Sequence, residues 1–288
     1  PALQALAAEP GIAEAVARLA EWNSSAPTGI PQGYDQADRN GKLRDPNDRE
    51  VARSVAASIY SVWRSRFMAA TIGRTLGPLG LSRPRAESEL VALKRLLSGD
   101  SQSSGLDFFA IPGISDPTAR QQVIMLQSVR AALDRLASPD FAAAFGGSTD
   151  QDDYRWGRLH RVSLDSPLGG PFTVPTGFGQ FPAPLDGLRG IPVDGGFGTV
   201  DAAGHDARAN SVDGFMFGGG PARRYLGEAE RFRIDGQSAL PGGTSADPDS
   251  AHYLNLLRPY LTNEYYSVRT RLAEYLPGAA SFTVYLPG

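Results

Sequence analysis

The sequence has no cysteine and only three histidines, His160, His205 and His252. The absence of cysteine excludes disulfide bonds and thiolate metal sites, and so few histidines argue against a histidine-rich zinc centre. No apolar stretch approaches the ~20 residues that cross a membrane. The formal net charge of -3 gives no general attraction to nucleic acid or to an anionic membrane. We therefore expect neither of these as a partner.

Glycine and proline are abundant, with 33 and 22 of the 288 residues, and they predict long irregular connections. Residues 1–146 are mainly helical in pattern, whereas residues 147–288 combine strand patterns, long loops and a late helix. This order predicts an α+β fold. The predicted strands are few for the length of the chain, which favours a sheet that is completed by segments outside these residues.

Apolar residues at helical spacing predict four helical segments in the first half. Pro10-Gly11 interrupts the first of them. Asn47 or Asp48 can cap the longest one, whose wide apolar face predicts burial, and Gly80 helps to end it. The four segments are 3–22, about 48 to 76, 84–97 and 117–136.

Strand patterns and a long loop dominate the second half. Residues 165–197, rich in Gly, Pro and Phe, predict a long ordered loop. Residues 251–266 predict a helix in which Pro259 is a local defect. The predicted strands are 156–164, 198–202, 211–217, 223–227, 230–235 and 281–286.

Several short segments resemble, in the same order, the C-terminal part of penicillin amidase precursors. The most informative segment runs from Gly242 to Tyr253 and has the pattern GG-x-S-x-D-P-x-S-x-H-Y. It resembles the segment just before the last helix of that family. The other similar segments are Leu19–Asn23, Ile59–Trp63, Trp156–His160 with Ser166–Leu168, Gly195–Val200 and Gly219–Arg223.

The resemblance implies an N-terminal-nucleophile amidohydrolase with a four-layer αββα sandwich. In that family a precursor cleaves itself and exposes a serine, whose own α-amine acts as the base. Residues 1–288 would be a single C-terminal portion of the β subunit. Its partners would be the α subunit, the N-terminal part of the β subunit and a small N-acyl amide, such as a β-lactam side chain or an acyl-homoserine lactone. The family also implies a periplasmic or secreted protein, with Ca2+ possible in the full enzyme.

The resemblance transfers no catalytic residue onto this chain. The family's nucleophile, oxyanion-hole residues and usual calcium ligands lie upstream of its tryptophan–aspartate element, which corresponds to Trp22-Asn23. Ala222 and Ala246 also replace a serine and a glycine that are common there. We therefore expect a scaffold and pocket-wall role in cleavage of an N-acyl amide, and no activity of the chain alone. A noncatalytic binding or structural protein on the same scaffold is the alternative.

Three polar side chains stay as candidates for catalysis. His160 lies near Ser163 and Asp165, but side chains alternate between the faces of a strand, which would separate His160 from Ser163. Ser245 and His252 precede or begin the predicted late helix, where such residues cap the helix or shape the turn. A serine hydrolase that uses Ser163 or Ser245 is a third hypothesis, and it predicts labelling by a fluorophosphonate probe.

Asp35, Asp38 and Asn40 weakly resemble a calcium loop. When the loop is counted back from its glycine, the first and twelfth positions are Gln36 and Asn47. A hand-type loop needs an acid at both positions, so a solvated loop is the better interpretation. The glycine-rich segments lack the lysine of a phosphate loop, and we expect no cofactor in this chain.

Overall fold

The structure, a computed structural model, describes residues 2–36, 38, 43–99, 105–168, 173–174, 188–199, 204–218, 220–221, 223–231, 233–268, 276–278, 281 and 283. It combines helices with small sheets, so the predicted α+β class is confirmed. The chain divides into two units: residues 1–35 with 43–220 form the first, and residues 36–42 with 221–288 form the second.

Helices make up most of the regular structure of the first unit, and the four predicted helical segments are confirmed. Pro10 separates the first two helices and also begins the second, where its missing N–H leaves no intrahelical bond unmade. Among the described helices, none is long and apolar enough to cross a membrane. The helices are α1 (Ala2–Ala7), α2 (Pro10–Glu21), α3 (Asp48–Met68), α4 (Arg74–Leu76), α5 (Ala86–Leu97), α6 (Pro117–Leu136) and α7 (Ala142–Phe145).

The sequence determines where the helical segment that contains α3 begins and ends. Asn47 caps it, because its side chain accepts a hydrogen bond from the Glu50 N–H while the Glu50 carboxylate accepts one from the Asn47 N–H. After Met68 the helix passes into a π-helical turn, Ala69–Gly73, and the helical path ends at Gly80 with φ of +67°. A left-handed conformation at a helix end favours glycine, as found here.

Two apolar clusters form the core of the first unit. The larger cluster joins α2, α3, α6 and α7 to the segments 154–159 and 209–215. The smaller one joins the end of α3 to α5, to Phe109 and to the middle of α6. Small polar residues of α3 are buried beside its apolar stripe, so this helix is enclosed on most of its surface, as predicted.

A small three-stranded sheet in the first unit joins segments that lie far apart in the chain. Its strands are β1 (Arg161–Val162), β2 (Ile191–Pro192) and β3 (Met216–Phe217), in the order β2-β1-β3. β1 pairs antiparallel with β2 and parallel with β3.

The strands predicted for 156–164 and 211–217 are therefore wrong in extent, because only two residues of each pair in this sheet. The residues before them, Trp156–Arg158 and Asp213–Phe215, form 3-10 turns. Much of the predicted loop at 165–197 and most of the predicted strand at 198–202 lie outside the described residues, and Gly198 itself is in a turn.

The second unit contains an antiparallel sheet of three strands. β4 (Arg224–Glu230) and β5 (Arg233–Ala239) form a hairpin, and β5 also pairs with β6 (Tyr266–Val268). The strand predicted for 223–227 is confirmed from Arg224 and extends to Glu230. The strand predicted for 230–235 is shifted: Glu230 belongs to β4, and β5 begins at Arg233 and extends to Ala239. Most of the strand predicted for 281–286 lies outside the described residues.

The helix predicted for 251–266 is mostly wrong. Only α8 (Leu257–Leu261) is helical, and residues 251–256 form turns. Pro259 explains the late start, because proline lacks an N–H and clashes with the carbonyl four residues earlier in a helix. Pro259 is the third residue of α8, where its N–H would make no intrahelical hydrogen bond and the residue four positions earlier lies outside the helix.

Candidate functional site

A single hydroxyl joins three segments of the first unit. Ser54 of α3 is fully buried; its Oγ donates to the Thr28 carbonyl at 2.8 Å and accepts from the Trp156 N–H at 2.7 Å. The Gly157 N–H donates to the same Thr28 carbonyl at 2.8 Å. Gly29 has φ of +66°, and a Cβ there would lie 2.3 Å from the Ser54 Oγ. These contacts hold the Trp-Gly segment against α3.

His160 is locked among neighbours and is completely buried. Its ring stacks on Trp156, with centroids 5.1 Å apart and planes inclined by 10°. Its Nδ1 lies 3.0 Å from the Val193 carbonyl, and a carbonyl can only accept, so Nδ1 carries a proton. The Val193 N–H in turn donates to the His160 carbonyl at 3.2 Å. These contacts fit a structural histidine that orients the segment at 188–196.

Ser163 and Asp165 interact with each other. The Ser163 hydroxyl donates to the Asp165 carboxylate at 2.9 Å, and the Ser163 N–H donates to the Phe217 carbonyl. In a Ser-His-Asp site the serine hydroxyl would instead donate to a histidine. Ser163 thus has the geometry of a loop residue that ties the end of β1 to β3.

His205 and Arg64 were not among the predicted site residues, yet both are buried: His205 lies beside His160, and Arg64 contacts His205. The His205 ring is 4% exposed and lies edge-on to Trp156 and to His160, with centroid distances of 5.4 and 5.5 Å. Arg64 of α3 is 7% exposed. Its Nη2 lies 3.3 Å from His205 Nε2, and its Nε donates to the Ala207 carbonyl at 3.2 Å.

The contact between Arg64 and His205 determines the protonation state of the His205 imidazole. Arginine only donates, so His205 Nε2 accepts and the imidazole is neutral. Burial above all, together with the neighbouring His160 and Arg64, lowers the pKa of His205 to about 2. Burial also lowers the pKa of Arg64. The Arg64 guanidinium lies 4.8 Å from the centre of the Phe197 ring, and no carboxylate forms a salt bridge with it in the described part of the chain, although the charge of Asp206 acts on it from a longer distance.

Ser245 and His252 occupy a loop of consecutive small turns in the second unit. The Ser245 hydroxyl accepts from the Asp247 N–H at 3.1 Å, and the Thr244 N–H donates to the His252 carbonyl at 2.8 Å. A Cβ on Gly243 would lie 2.0 Å from that carbonyl, so only glycine fits. The predicted role of these polar residues in capping a helix at 251 is wrong, since no helix begins there.

The His252 side chain is exposed, and its Nδ1 lies 3.4 Å from Asn255 Nδ2. This contact and the backbone bonds around it keep the loop closed. The Ser245 N–H also donates to the His252 carbonyl at 3.2 Å, but the two side chains make no hydrogen bond with each other in the described part of the chain.

The structure does not bring the three candidate calcium ligands together among the described residues. Both carboxylate oxygens of Asp35 accept hydrogen bonds from Thr28, one from its N–H at 2.8 Å and one from its Oγ1 at 2.6 Å. Asp38 is buried, and Asn40 lies outside the described residues. Across the described ranges, no group of three or more His, Asp or Glu residues converges as a metal site would require.

The family model of penicillin amidase matches residues 1–275 of the chain. The chain belongs to the penicillin amidase family. No curated protein matches it. An αββα sandwich is consistent with this membership, and amide hydrolysis is the activity that penicillin amidase membership implies in general. In this penicillin amidase chain the Trp156–His160 segment, one of the resembling motifs, forms part of the buried core rather than an open catalytic cleft.

Proposed function

We propose that this chain is the scaffold and pocket-wall portion of an amidohydrolase that cleaves an N-acyl amide. The nucleophile, its α-amine base and the oxyanion donors come from a segment of the same precursor outside residues 1–288. The family match over residues 1–275 carries the proposal. The buried bonds of the Trp156–His160 segment support it, because they assign these residues to positioning rather than to reaction.

In this mechanism the chain positions the reacting groups but does not contribute the nucleophile. Acyl transfer needs a nucleophile, a base and donors aimed at the developing oxyanion, all held in a fixed arrangement. The hydrogen bonds of Ser54 hold the 156–160 segment against α3, and the contact of Arg64 with His205 holds a second segment against the same helix. His160 in turn bonds to the Val193 carbonyl and so joins the 188–196 segment to the 156–160 segment. A rigid layer of this kind reduces the cost of orienting the groups that react.

The remaining parts of the proposal follow the family. The partners are the α subunit and the N-terminal part of the β subunit, produced by self-cleavage. The substrates are N-acyl amides, among which β-lactam side chains and acyl-homoserine lactones are the first to test, the second implying quorum quenching. The protein is periplasmic or secreted, and the full enzyme holds Ca2+ through ligands outside this chain.

The decisive experiment compares the whole precursor with residues 1–288 alone. Both are incubated with a phenylacetyl amide, an acyl-homoserine lactone and a simple N-acyl amide, and the released amine or lactone is quantified. We expect turnover by the processed precursor, none by the chain alone and none by a precursor whose self-cleavage residue is changed to alanine. Circular dichroism of the isolated chain checks that its inactivity is not simply unfolding.

Each contrary result points to a different hypothesis. Turnover by residues 1–288 alone, with labelling by a fluorophosphonate probe, would establish a serine hydrolase within the chain. A precursor without serine, threonine or cysteine at the self-cleavage point, and without turnover, would favour the noncatalytic protein on the same scaffold.

A further inference from the structure

The outer edge of the hairpin in the second unit is open. β4 pairs with β5 and with no other strand among the described residues, and β6 lies on the far side of β5. Natural proteins usually protect a free edge with a short strand, a proline or a bulge. β4 has seven residues, contains no proline and keeps one regular register with β5 along its whole length. It therefore lacks these three protections.

Alternate backbone N–H groups of β4 point to the open edge. The Ser238 hydroxyl of β5 donates to the Arg224 carbonyl at 3.4 Å, so the backbone of Arg224 faces β5. The direction of the backbone groups alternates along an antiparallel strand, which turns the N–H groups of Tyr225, Gly227 and Ala229 away from β5. A further strand at this edge would accept hydrogen bonds from them.

One face of this sheet is apolar and is still exposed. Tyr225 pairs across the strands with Ser238, and Ser238 with Tyr266, so the two tyrosines share a face, to which Ile234 also belongs. Tyr225, Ile234 and Tyr266 are 45%, 49% and 38% exposed. An antiparallel sheet usually packs its apolar face against a core. The described residues of the second unit thus lack the layer that would cover this face.

The opposite face has a repulsive pair of negative charges. Glu228 lies directly across from Asp235 in the register, and like charges in this position destabilise a sheet. The Glu228 carboxylate forms no hydrogen bond or ion pair in the described part of the chain. An open groove of about 680 Å3 lies beside it, bordered by Leu226, Gln237 and Ser267. A basic side chain from a neighbouring strand has room there and would relieve the repulsion.

We propose that the open edge of β4 binds a strand from the part of the same precursor that lies outside residues 1–288. This strand accepts hydrogen bonds from the outward N–H groups, places a lysine or arginine opposite Glu228 and extends the apolar face of Tyr225. The inference rests on the proposed function for the existence of this precursor segment.

A second copy of the chain suits this edge less well. It would offer the Arg224 of its own β4 to Glu228. The Arg224 guanidinium, however, lies 4.0 Å from the centre of the Tyr260 ring and donates to the Tyr260 carbonyl. A second copy would therefore have to give up these contacts in order to neutralise Glu228.

Hydrogen exchange in the complete processed enzyme, resolved to single amides, tests the pairing. The inward amides of Leu226 and Glu228 bond to β5 and are the internal control. If a strand occupies the edge, the outward amides of Tyr225, Gly227 and Ala229 should exchange within about tenfold of the control rate, after correction for intrinsic rates. An open edge would instead give a much faster rate at every second amide, and that result would overturn the proposal.

Photo-crosslinking of the same enzyme identifies the occupant. The exposed Leu226 is replaced by p-benzoylphenylalanine, and mass spectrometry of the peptides locates the crosslink. We expect a peptide from outside residues 1–288. A crosslink to residues 281–286 of this chain, or to a second copy with a yield that rises with protein concentration, would refute the choice of occupant.

Two substitutions of Ala229 separate strand pairing from general packing. Proline is tolerated where the N–H of an edge strand points outward, so Ala229→Pro keeps the hairpin and removes one donor at the open edge. It should raise the exchange rate of the Gly227 amide about tenfold or more, whereas Ala229→Val, of similar size, should not. Equal rates in the two variants would contradict the proposal.

None of these experiments measures amide hydrolysis. An inactive enzyme with a protected edge would reject the proposed function alone, and an active enzyme with an open edge would reject this inference alone.

Discussion

Two buried serines of α3, one helical turn apart, allow a direct test of how one hydroxyl holds the central segments together. Ser54 and Ser58 are both completely buried. The Ser54 hydroxyl joins the Thr28 carbonyl to the Trp156 N–H, whereas the Ser58 hydroxyl has no hydrogen-bond partner in the described part of the chain. Alanine at each position therefore makes the same chemical change in two different settings.

The structure sets the expected size of the two effects. In Ser54→Ala the Trp156 N–H loses its acceptor in a buried site, which costs about 1–3 kcal/mol. The Thr28 carbonyl keeps its bond from the Gly157 N–H, so no second buried group is left unpaired. Ser58→Ala removes a buried hydroxyl that was already unpaired, and it should be neutral or stabilising. The gain in helix propensity from serine to alanine is the same in both variants and cancels.

Urea unfolding of the complete protein, followed by tryptophan fluorescence and circular dichroism, measures the stability of both variants. We expect the free energy of unfolding of Ser54→Ala to be lower than that of Ser58→Ala by about 2 kcal/mol. Equal destabilisation of the two would mean that lost volume, not the hydrogen bonds, determines the effect. The account of Ser54 as the residue that joins these segments would then be refuted.

Three further predictions concern buried charge and backbone conformation. The pKa of His205 is about 2 in the folded state and 6.5 in the unfolded state. Between these pH values the unfolded state binds more protons, so the free energy of unfolding falls as the pH drops below 6.5. Acid unfolding of His205→Gln should therefore show a weaker dependence of stability on pH. Gly29→Ala should lower the melting temperature more than Gly80→Ala, because both residues have positive φ but only a Cβ at Gly29 meets another atom within 4 Å. Glu89→Gln weakens the pairing of a fully buried carboxylate with two arginines and should cost about 3 kcal/mol in urea unfolding, while the exposed Glu87→Gln should have little effect.

The helical half could be predicted because its signals are local. Asn47 and Glu50 cap α3 within a single turn, and Asp116 caps α6 by accepting from the Ala119 N–H. The spacing of apolar residues then indicates which faces are buried. All of this information lies within a few residues of where it acts.

The second half could not be predicted as well, because its strands depend on distant partners. β1 has two residues, and it is a strand only because β2 and β3, about 30 and 55 residues away in the chain, pair with it. The segment before it forms a 3-10 turn at Trp156–Arg158, with the first N–H bonded to Ser54. The helix predicted for 251–266 is wrong for a local reason: Pro259 cannot lie in the interior of a helix that begins at 251, so apolar spacing alone predicts too long a helix.

The burial of Arg64 in the candidate site also could not be predicted from the sequence. A charged residue within the buried face of α3 gives no signal from spacing, since a long side chain there can equally reach solvent. Tertiary contacts make the burial of this guanidinium tolerable. The Ala207 carbonyl, the neutral His205 imidazole and the face of the Phe197 ring replace the water and the carboxylate that usually surround an arginine. His205 must stay unprotonated to serve as that acceptor, and its low pKa follows from the same burial. A histidine held in this way is suited to positioning its neighbours, because its Nε2 is already occupied by the Arg64 guanidinium.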